Sequence, residues 1–320
     1  GILYKILIFS DIDMGKKILK RTLGLIVILF VLSFLVFLIM YLAPGDPAEK
    51  RLTSQGVVVT KEVLEAERER LGLLRPFLVR YGDWLSNILK GDFGVSFKDD
   101  LPVAPKLVKG LKNTVQLASA SLLLAIVISF PLGILSAVKK GKLVDHVVRL
   151  LAFIGNSLPN FLISVLLMYL LCIKFKMFPV IADGTTKGLV LPAISLAIPM
   201  AGRFTRQIRS ELLEELDEEY VIGMKSRKVR SRFILVNNVM RNCLGHILTI
   251  IGLQIGTLMG GSVVIENIFR WPGIGKLVMD SITARDYPVI MGFVLIMGAI
   301  YVITNLIVDI SYQILDPRSV

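Results

Sequence analysis

The stretch from Glu211 to Arg232 combines more charge and apolar pattern than any other part of the chain. Glu211, Glu214, Glu215, Asp217, Glu218 and Glu219 crowd its start, and Lys225, Arg227, Lys228, Arg230 and Arg232 crowd its end. Leu212, Leu213, Leu216, Tyr220 and Gly223/Met224 recur at i, i+3 or i+4, which predicts a helix with one apolar face. Acids first and bases last complement the helix dipole, each well-placed charge contributing roughly 0.3–1 kcal/mol. Such a helix could lie on a membrane surface, but surface-seeking helices carry basic residues along the whole polar face. The acidic first half favours insertion into a groove on another protein. The chemistry expected here is recognition rather than bond-making.

Two further constellations stand out. Gly252, Gly256 and Gly260 recur at four-residue intervals, on one helix face flanked by Gln254 and Thr257. Small residues in that pattern let a second helix approach closely in lipid, either as ordinary packing or beside a translocation path or partner. Farther on, Trp271-Pro272-Gly273-Ile274-Gly275 cannot continue a helix and predicts a bend or re-entrant element, structural or part of an outer gate. The segment Gly273-Ile-Gly-Lys276 lacks the spacing of a nucleotide-binding P-loop. His146 and His246 have no partners at ligand spacing, so no metal site is expected, and Cys172 and Cys243 do not form a disulfide framework.

These residues need a membrane to hold them. Of 320 residues 54% are hydrophobic and 19% charged, and the mean hydropathy is +0.70. A soluble domain carries nearer a quarter charged residues. Charge-free runs extend from Arg21 to Asp46, Lys112 to Lys139, Arg149 to Lys174, Arg241 to Glu266 and Asp286 to Asp309. Each suffices to cross about 30 Å of hydrocarbon. A sixth span, 188–207, is short, contains Pro192 and Pro199, and requires Arg203 and Arg206 to snorkel to the headgroups. The chain then divides into spans 22–43, 113–138, 150–173, 188–207, 242–265 and 287–309. Segments 1–21, 139–149, 208–241 and 310–320 lie on one side, and 44–112, 174–187 and 266–286 on the other. From Arg203 onward in the third of the first set, those segments hold 19 Lys and Arg residues against 6 in the two short opposite loops. The positive-inside rule therefore places both termini in the cytoplasm, and it accounts for the net charge of +12 without nucleic acid. Met14-Gly-Lys-Lys is a candidate start, which makes residues 1–13 an upstream extension, and no cleavable signal is expected.

Segment 44–112 is patterned rather than linker-like. Residues 61–71 read as a charged surface helix, and Trp84, Leu85, Ile88 and Leu89 share one helical face before Gly91-Asp-Phe-Gly94 ends it. A compact extracytoplasmic cap is expected, either packed on the bundle or serving as a docking surface.

The order of short motifs along residues 14–320 resembles that of ABC-importer permeases of the dipeptide, oligopeptide and nickel family. The motifs are Gly45-Asp-Pro47, Leu71-Gly-Leu73 with Tyr81, Trp84 and Leu85, Gly91-Asp-Phe-Gly94, Asn113-Thr114, Leu158-Pro159, Glu219-Tyr220-Val221, Glu266-Asn-Ile-Phe-Arg-Trp-Pro-Gly-Ile-Gly275, Arg285-Asp-Tyr-Pro288 and Leu315-Asp-Pro-Arg318. The resemblance implies an all-α polytopic protein of a bacterial or archaeal inner membrane, with a cytoplasmic coupling helix. It implies that Glu214, Leu216, Glu219, Tyr220, Val221, Gly223 and Met224 couple the chain to an ATPase. It also implies a second permease subunit, two nucleotide-binding subunits that use ATP, an extracytoplasmic solute-binding protein and no cofactor on this chain. The substrate-binding residues are not indicated. Where the family has two alanines and a later glycine, this chain has Gly223, Met224 and Lys228. The rival from another class is an ion-coupled secondary transporter of small solutes. Such proteins place ionisable groups within their spans, and the five charge-free spans offer only His246, near one end.

Overall fold

The computed structural model describes residues 23–315. Among these the chain is helical, apart from an isolated bridge between Val95 and Pro102. The helices are α1 (Leu23–Leu42), α2 (Pro47–Ser54), α3 (Lys61–Arg70), α4 (Phe77–Leu89), α5 (Val103–Val138), α6 (Leu143–Ser157), α7 (Asn160–Leu167), α8 (Thr186–Leu216), α9 (Glu219–Ser226), α10 (Ser231–Phe233), α11 (Met240–Phe269), α12 (Ile274–Ala284) and α13 (Tyr287–Leu315). A wider π-type turn extends α7 over Met168–Lys174, and another joins α10 to α11 over Ile234–Val239.

α1, α5, α8, α13 and the stretch Ser231–Gln254 are long and apolar enough to cross a bilayer. The expected span 150–173 takes a different form: α6 and α7 with its π turn make a pair bent by 98°, a sixth crossing if the pair counts as one. The cause is local. Pro159 disfavours a helical conformation at the residue before it, and Leu158 is extended, with ψ of 130°. The opposite holds for α8, where Pro192 and Pro199 lie inside a continuous helix. Of its apolar window 78% is buried within the chain, against 17% for α1 and 22% for α13. Packing on all sides therefore holds α8 together despite two missing N–H groups.

The chain divides into two compact units. The first comprises Gly1–Leu107 and Asp280–Leu306. In it, α4 runs antiparallel along α1. Phe77 meets Tyr41, Phe37 and Phe34; Tyr81 meets Phe37 and Phe34; and Trp84 meets Phe37. Leu85 and Leu89 share an apolar cavity of about 550 Å³ with Ile26 and Leu29. The stripe legible in α4 thus finds an apolar partner in α1, each aromatic pair adding roughly 0.5–1.5 kcal/mol beyond area burial. Beside it, Arg51 is buried against Asp100, Glu67 and the carbonyl of Phe97, tying α2 to α3 and to the turn before α5. Asp286 accepts from the hydroxyl of Ser96 and from Phe97 N, which fixes that turn to the start of α13.

The second unit comprises Val108–Met279 and Ile307–Val320. α8 is its axis, with α6, α7 and α11 packed around it. Asp145 on α6, 1% exposed, accepts bidentately from Arg209 on α8 at 2.8 and 2.9 Å. It also accepts from Ser136 at 2.5 Å and Gly141 N at 2.9 Å. A buried carboxylate needs this degree of satisfaction. The cluster locks α5, α6 and α8 together about two turns before α8 ends.

Candidate functional site

The continuous helix expected from Glu211 to Arg232 is two helices. α8 runs to Leu216, Asp217 closes it, and Glu218 is extended with ψ of 147° before α9 begins. Lys225 Nζ donates to the Leu216 carbonyl at 3.3 Å, satisfying one end group of α8. The break resets the helical phase, so the i, i+4 relation between Leu216 and Tyr220 does not place them on one face.

The consequence is a different inside and outside for α9. Val221 is fully buried, and Met224 is half-buried with its sulfur accepting from Asn238 Nδ2 at 3.0 Å. Leu216 is half-buried, whereas Glu214, Glu219 and Gly223 are exposed, with open space beside Gly223. Tyr220 is 37% exposed and Ile222 54%. The Tyr220 hydroxyl donates to Glu215 Oε1 at 2.6 Å, and Asn242 Nδ2 donates to the same oxygen at 2.7 Å. Burial, then the Glu215 carboxylate, pushes the phenol up to about 12, so it remains a donor at physiological pH. His246 Nδ1 lies 3.2 Å from Glu211 Oε2, farther along the same seam between α8 and α11. The exposed apolar residue, Ile222, was missed because the unbroken helical template assigned it to the polar side.

α9 ends in a defined stop. Val229 N donates to Met224 O and Lys228 N to Lys225 O, the paired bonds of a Schellman turn. Lys228 has φ of 58°, in the left-handed region. Glycine adopts that conformation without strain. Lys228 is one of three positions, with Gly223 and Met224, at which the sequence departs from the family pattern it resembles.

At the other candidate site, α11 ends with Arg270 at φ 55°, and the chain turns through Trp271 and Pro272 into α12. Trp271 is fully buried, its indole donating to Asn113 O at 3.0 Å, while Asn113 Nδ2 donates to Pro272 O at 2.7 Å. Glu266, also fully buried, accepts from Thr114 at 2.7 Å, Gly275 N at 2.7 Å and Lys276 N at 3.1 Å. Its carboxylate caps the N-terminus of α12, where the dipole favours negative charge. Gly273 and Gly275 face that carboxylate directly, and any Cβ on Gly275 would sit 2.6 Å from Val263 Cα. The bend is built around Glu266, whose role the sequence pattern did not reveal. Gly252 and Gly256 are half-buried and Gly260 is exposed, with nothing within 4 Å of the place where its Cβ would be. That end of the strip is an open surface rather than a packing seam among the described residues.

Residues 129–320 match the family model described as binding-protein-dependent transport system inner membrane component, and residues 14–118 match the model of the N-terminal part of such components. A nickel import system permease protein, NikB of Staphylococcus aureus (strain bovine RF122 / ET3-1), is 37% identical over 303 residues, 95% of this chain and 91% of its own. The oligopeptide transport system permease protein AppB of Bacillus subtilis (strain 168) is 37% identical over 320 residues, 95% of this chain and 99% of its own. Among solved structures, an amino acid ABC transporter aligns with a TM-score of 0.53 at 16% identity, over 67% of this chain and 94% of that one. The inward-facing MetNI methionine ABC transporter aligns with a TM-score of 0.53 at 17% identity, over 66% and 96%. The likeness to both extends to the fold alone. Together with the six possible crossings, the matches make this chain a multi-pass ABC-importer permease, a member of the binding-protein-dependent transport system inner membrane component family.

Proposed function

We propose that this chain forms half of the translocation pathway of an importer for oligopeptides or chelated nickel, with α9 as the lever that couples it to ATP hydrolysis. The observation carrying the coupling role is the orientation of α9. Val221 and Met224 anchor it to this chain, while Glu219, Tyr220 and Ile222 are left for a partner. Burying a side chain the size of Ile222 contributes roughly 1.5–3 kcal/mol, which suits a groove on an ATPase subunit. The acidic residues before it would set orientation against a basic groove.

Membership of this family implies partner ATPase and solute-binding subunits. The finer assembly belongs to the proposal: two nucleotide-binding subunits consume the ATP, a second homologous permease completes the pathway, and this chain binds no cofactor. Both termini and the segment around α9 face the cytoplasm, on the strength of the basic-residue asymmetry. Cargo of either kind is suggested by the 37%-identical relatives. Purification from the native host tests the assembly, and import assays with the cognate solute-binding protein test the cargo. Co-purifying ATPase subunits with uptake of a peptide or nickel chelate is the expected result. Uptake driven by an ion gradient, without ATP or those subunits, would refute the proposal.

A further inference from the structure

Arg203 lies within α8, in its membrane-spanning stretch, where ionised side chains are costly and usually functional. Its guanidinium reaches side chains on the neighbouring helices α6 and α11. A Cβ on Gly202 would collide with Ala152 O, so the lack of one lets α8 lie directly on the backbone of α6. That close approach sets Arg203 beside two amides. Its Nε donates to Asn156 Oδ1 at 3.4 Å and its Nη1 to Gln254 Oε1 at 3.0 Å.

Neutral amides orient a guanidinium without cancelling its charge. Among the described residues no carboxylate pairs with Arg203, in contrast to Arg209 two turns away, which is neutralised by Asp145. A guanidinium has five N–H donors in a planar fork, and only two are engaged here. The half-buried side chain lines an open cavity of about 80 Å³ with Asn160, Gln254, Thr257 and Gly261. A water molecule's share of liquid is about 30 Å³, so the space admits a small planar anion. The cavity's edge at Thr257 and Gly261 is exposed, beside Gly260, where no side chain blocks approach.

We infer that Arg203, oriented by Asn156 and Gln254, is a subsite on the translocation path that receives a carboxylate of the cargo. The inference rests on the proposed function, because cargo must pass this face for the site to act. A bidentate guanidinium–carboxylate contact is the chemistry that fits an uncancelled fork at a donor-rich cavity. The carboxylate could be the C-terminus of a peptide or belong to a metal chelator, and both are covered by the test.

The complete importer, with its ATPase subunits, is reconstituted in vesicles of neutral phosphatidylcholine and supplied with solute-binding protein. Import is compared for a tetrapeptide with a free C-terminus and its C-terminal amide, and for nickel with a carboxylate chelator and with an imidazole chelator. Comparing each pair between wild type and Arg203→Gln cancels the preference of the solute-binding protein. For the carboxylate cargo, import by Arg203→Gln should fall about tenfold to hundredfold, the worth of a charge-assisted hydrogen bond. Its amide or imidazole counterpart should change less than about twofold, with Arg203→Lys intermediate. Equal loss for both members of each pair, or no loss, would overturn the inference. If Arg203→Gln fails to assemble, Gln254→Glu supplies the missing counter-charge and should produce the same selective loss. A wild-type importer that takes up neither class would overturn the cargo reading itself, a result distinct from uptake that ignores Arg203.

Discussion

Val221 and Ile222 are adjacent in sequence, yet one is fully buried and the other 54% exposed. The exposed residue is where docking can be tested without damaging the fold. Ile222→Asp should weaken association with the ATPase subunits about tenfold to hundredfold, the value of one buried aliphatic side chain. Membrane insertion and yield of the permease should stay normal. Co-purification and the Kd for the ATPase subunit report the change, and an unchanged Kd would show that Ile222 lies outside the interface. Lys228 gives a prediction of opposite sign. A non-glycine residue in the left-handed region costs on the order of 1–2 kcal/mol, so Lys228→Gly should stabilise the α9 end by about 1 kcal/mol after its own entropic cost. A rise in the unfolding temperature of the purified complex checks this, and a fall contradicts it. At this scale the sequence was half legible. The residue types of the α8–α9 segment pointed to a docking helix. The face it presents was hidden because Asp217 and Glu218 break the helix, and a break between two acidic residues carries no glycine or proline signal.

Among elements, the bend between α11 and α12 has the clearest internal logic. Trp271-Pro-Gly marked it in the sequence, since those residues exclude a continuing helix. Glu266 did not stand out, because a single acid at the end of an apolar run looks like a boundary charge until its three donors are seen. Trp271→Ala should cost about 3–5 kcal/mol, as for large buried aromatics generally. Glu266→Ala should be severe as well, since it orphans two buried donors, at about 1–3 kcal/mol each, and a part-buried third. Glu266→Gln, which keeps acceptors on the same frame, should be milder. Thermal unfolding of the detergent-solubilised complex ranks the three, and a Glu266→Ala variant as stable as wild type would refute the capping role. The amphipathic stripe of α4 was legible too, but its partner was not, because periodicity names a face without naming what covers it. Likewise Leu158-Pro159 was visible as a motif, whereas its 98° bend emerged only in three dimensions.

For the whole molecule, hydropathy pointed to about six crossings because hydrocarbon demands long apolar helices. The described residues hold five candidate spans, or six if the bent pair counts as one. The crossing interrupted by two prolines, α8, is the most enclosed by its own chain. Polar and proline residues are tolerated there because protein rather than lipid surrounds them. Orientation is tested by labelling Lys142→Cys, Lys228→Cys and Asp280→Cys in a chain from which Cys172 and Cys243 have been removed. Position 280 should react with a membrane-impermeant reagent in intact cells, and 142 and 228 only after the membrane is opened. External labelling of either of the latter would reverse the topology. The central claim, that α9 transmits the motion of an ATPase, is tested most directly by a photo-crosslinker at position 219 in the working importer. The account predicts a covalent adduct with the ATPase subunit whose yield changes when ATP binds, while a crosslinker at Val58, in the segment assigned to the opposite face, gives none. Absence of an ATPase adduct from position 219 in a complex that still imports would contradict it.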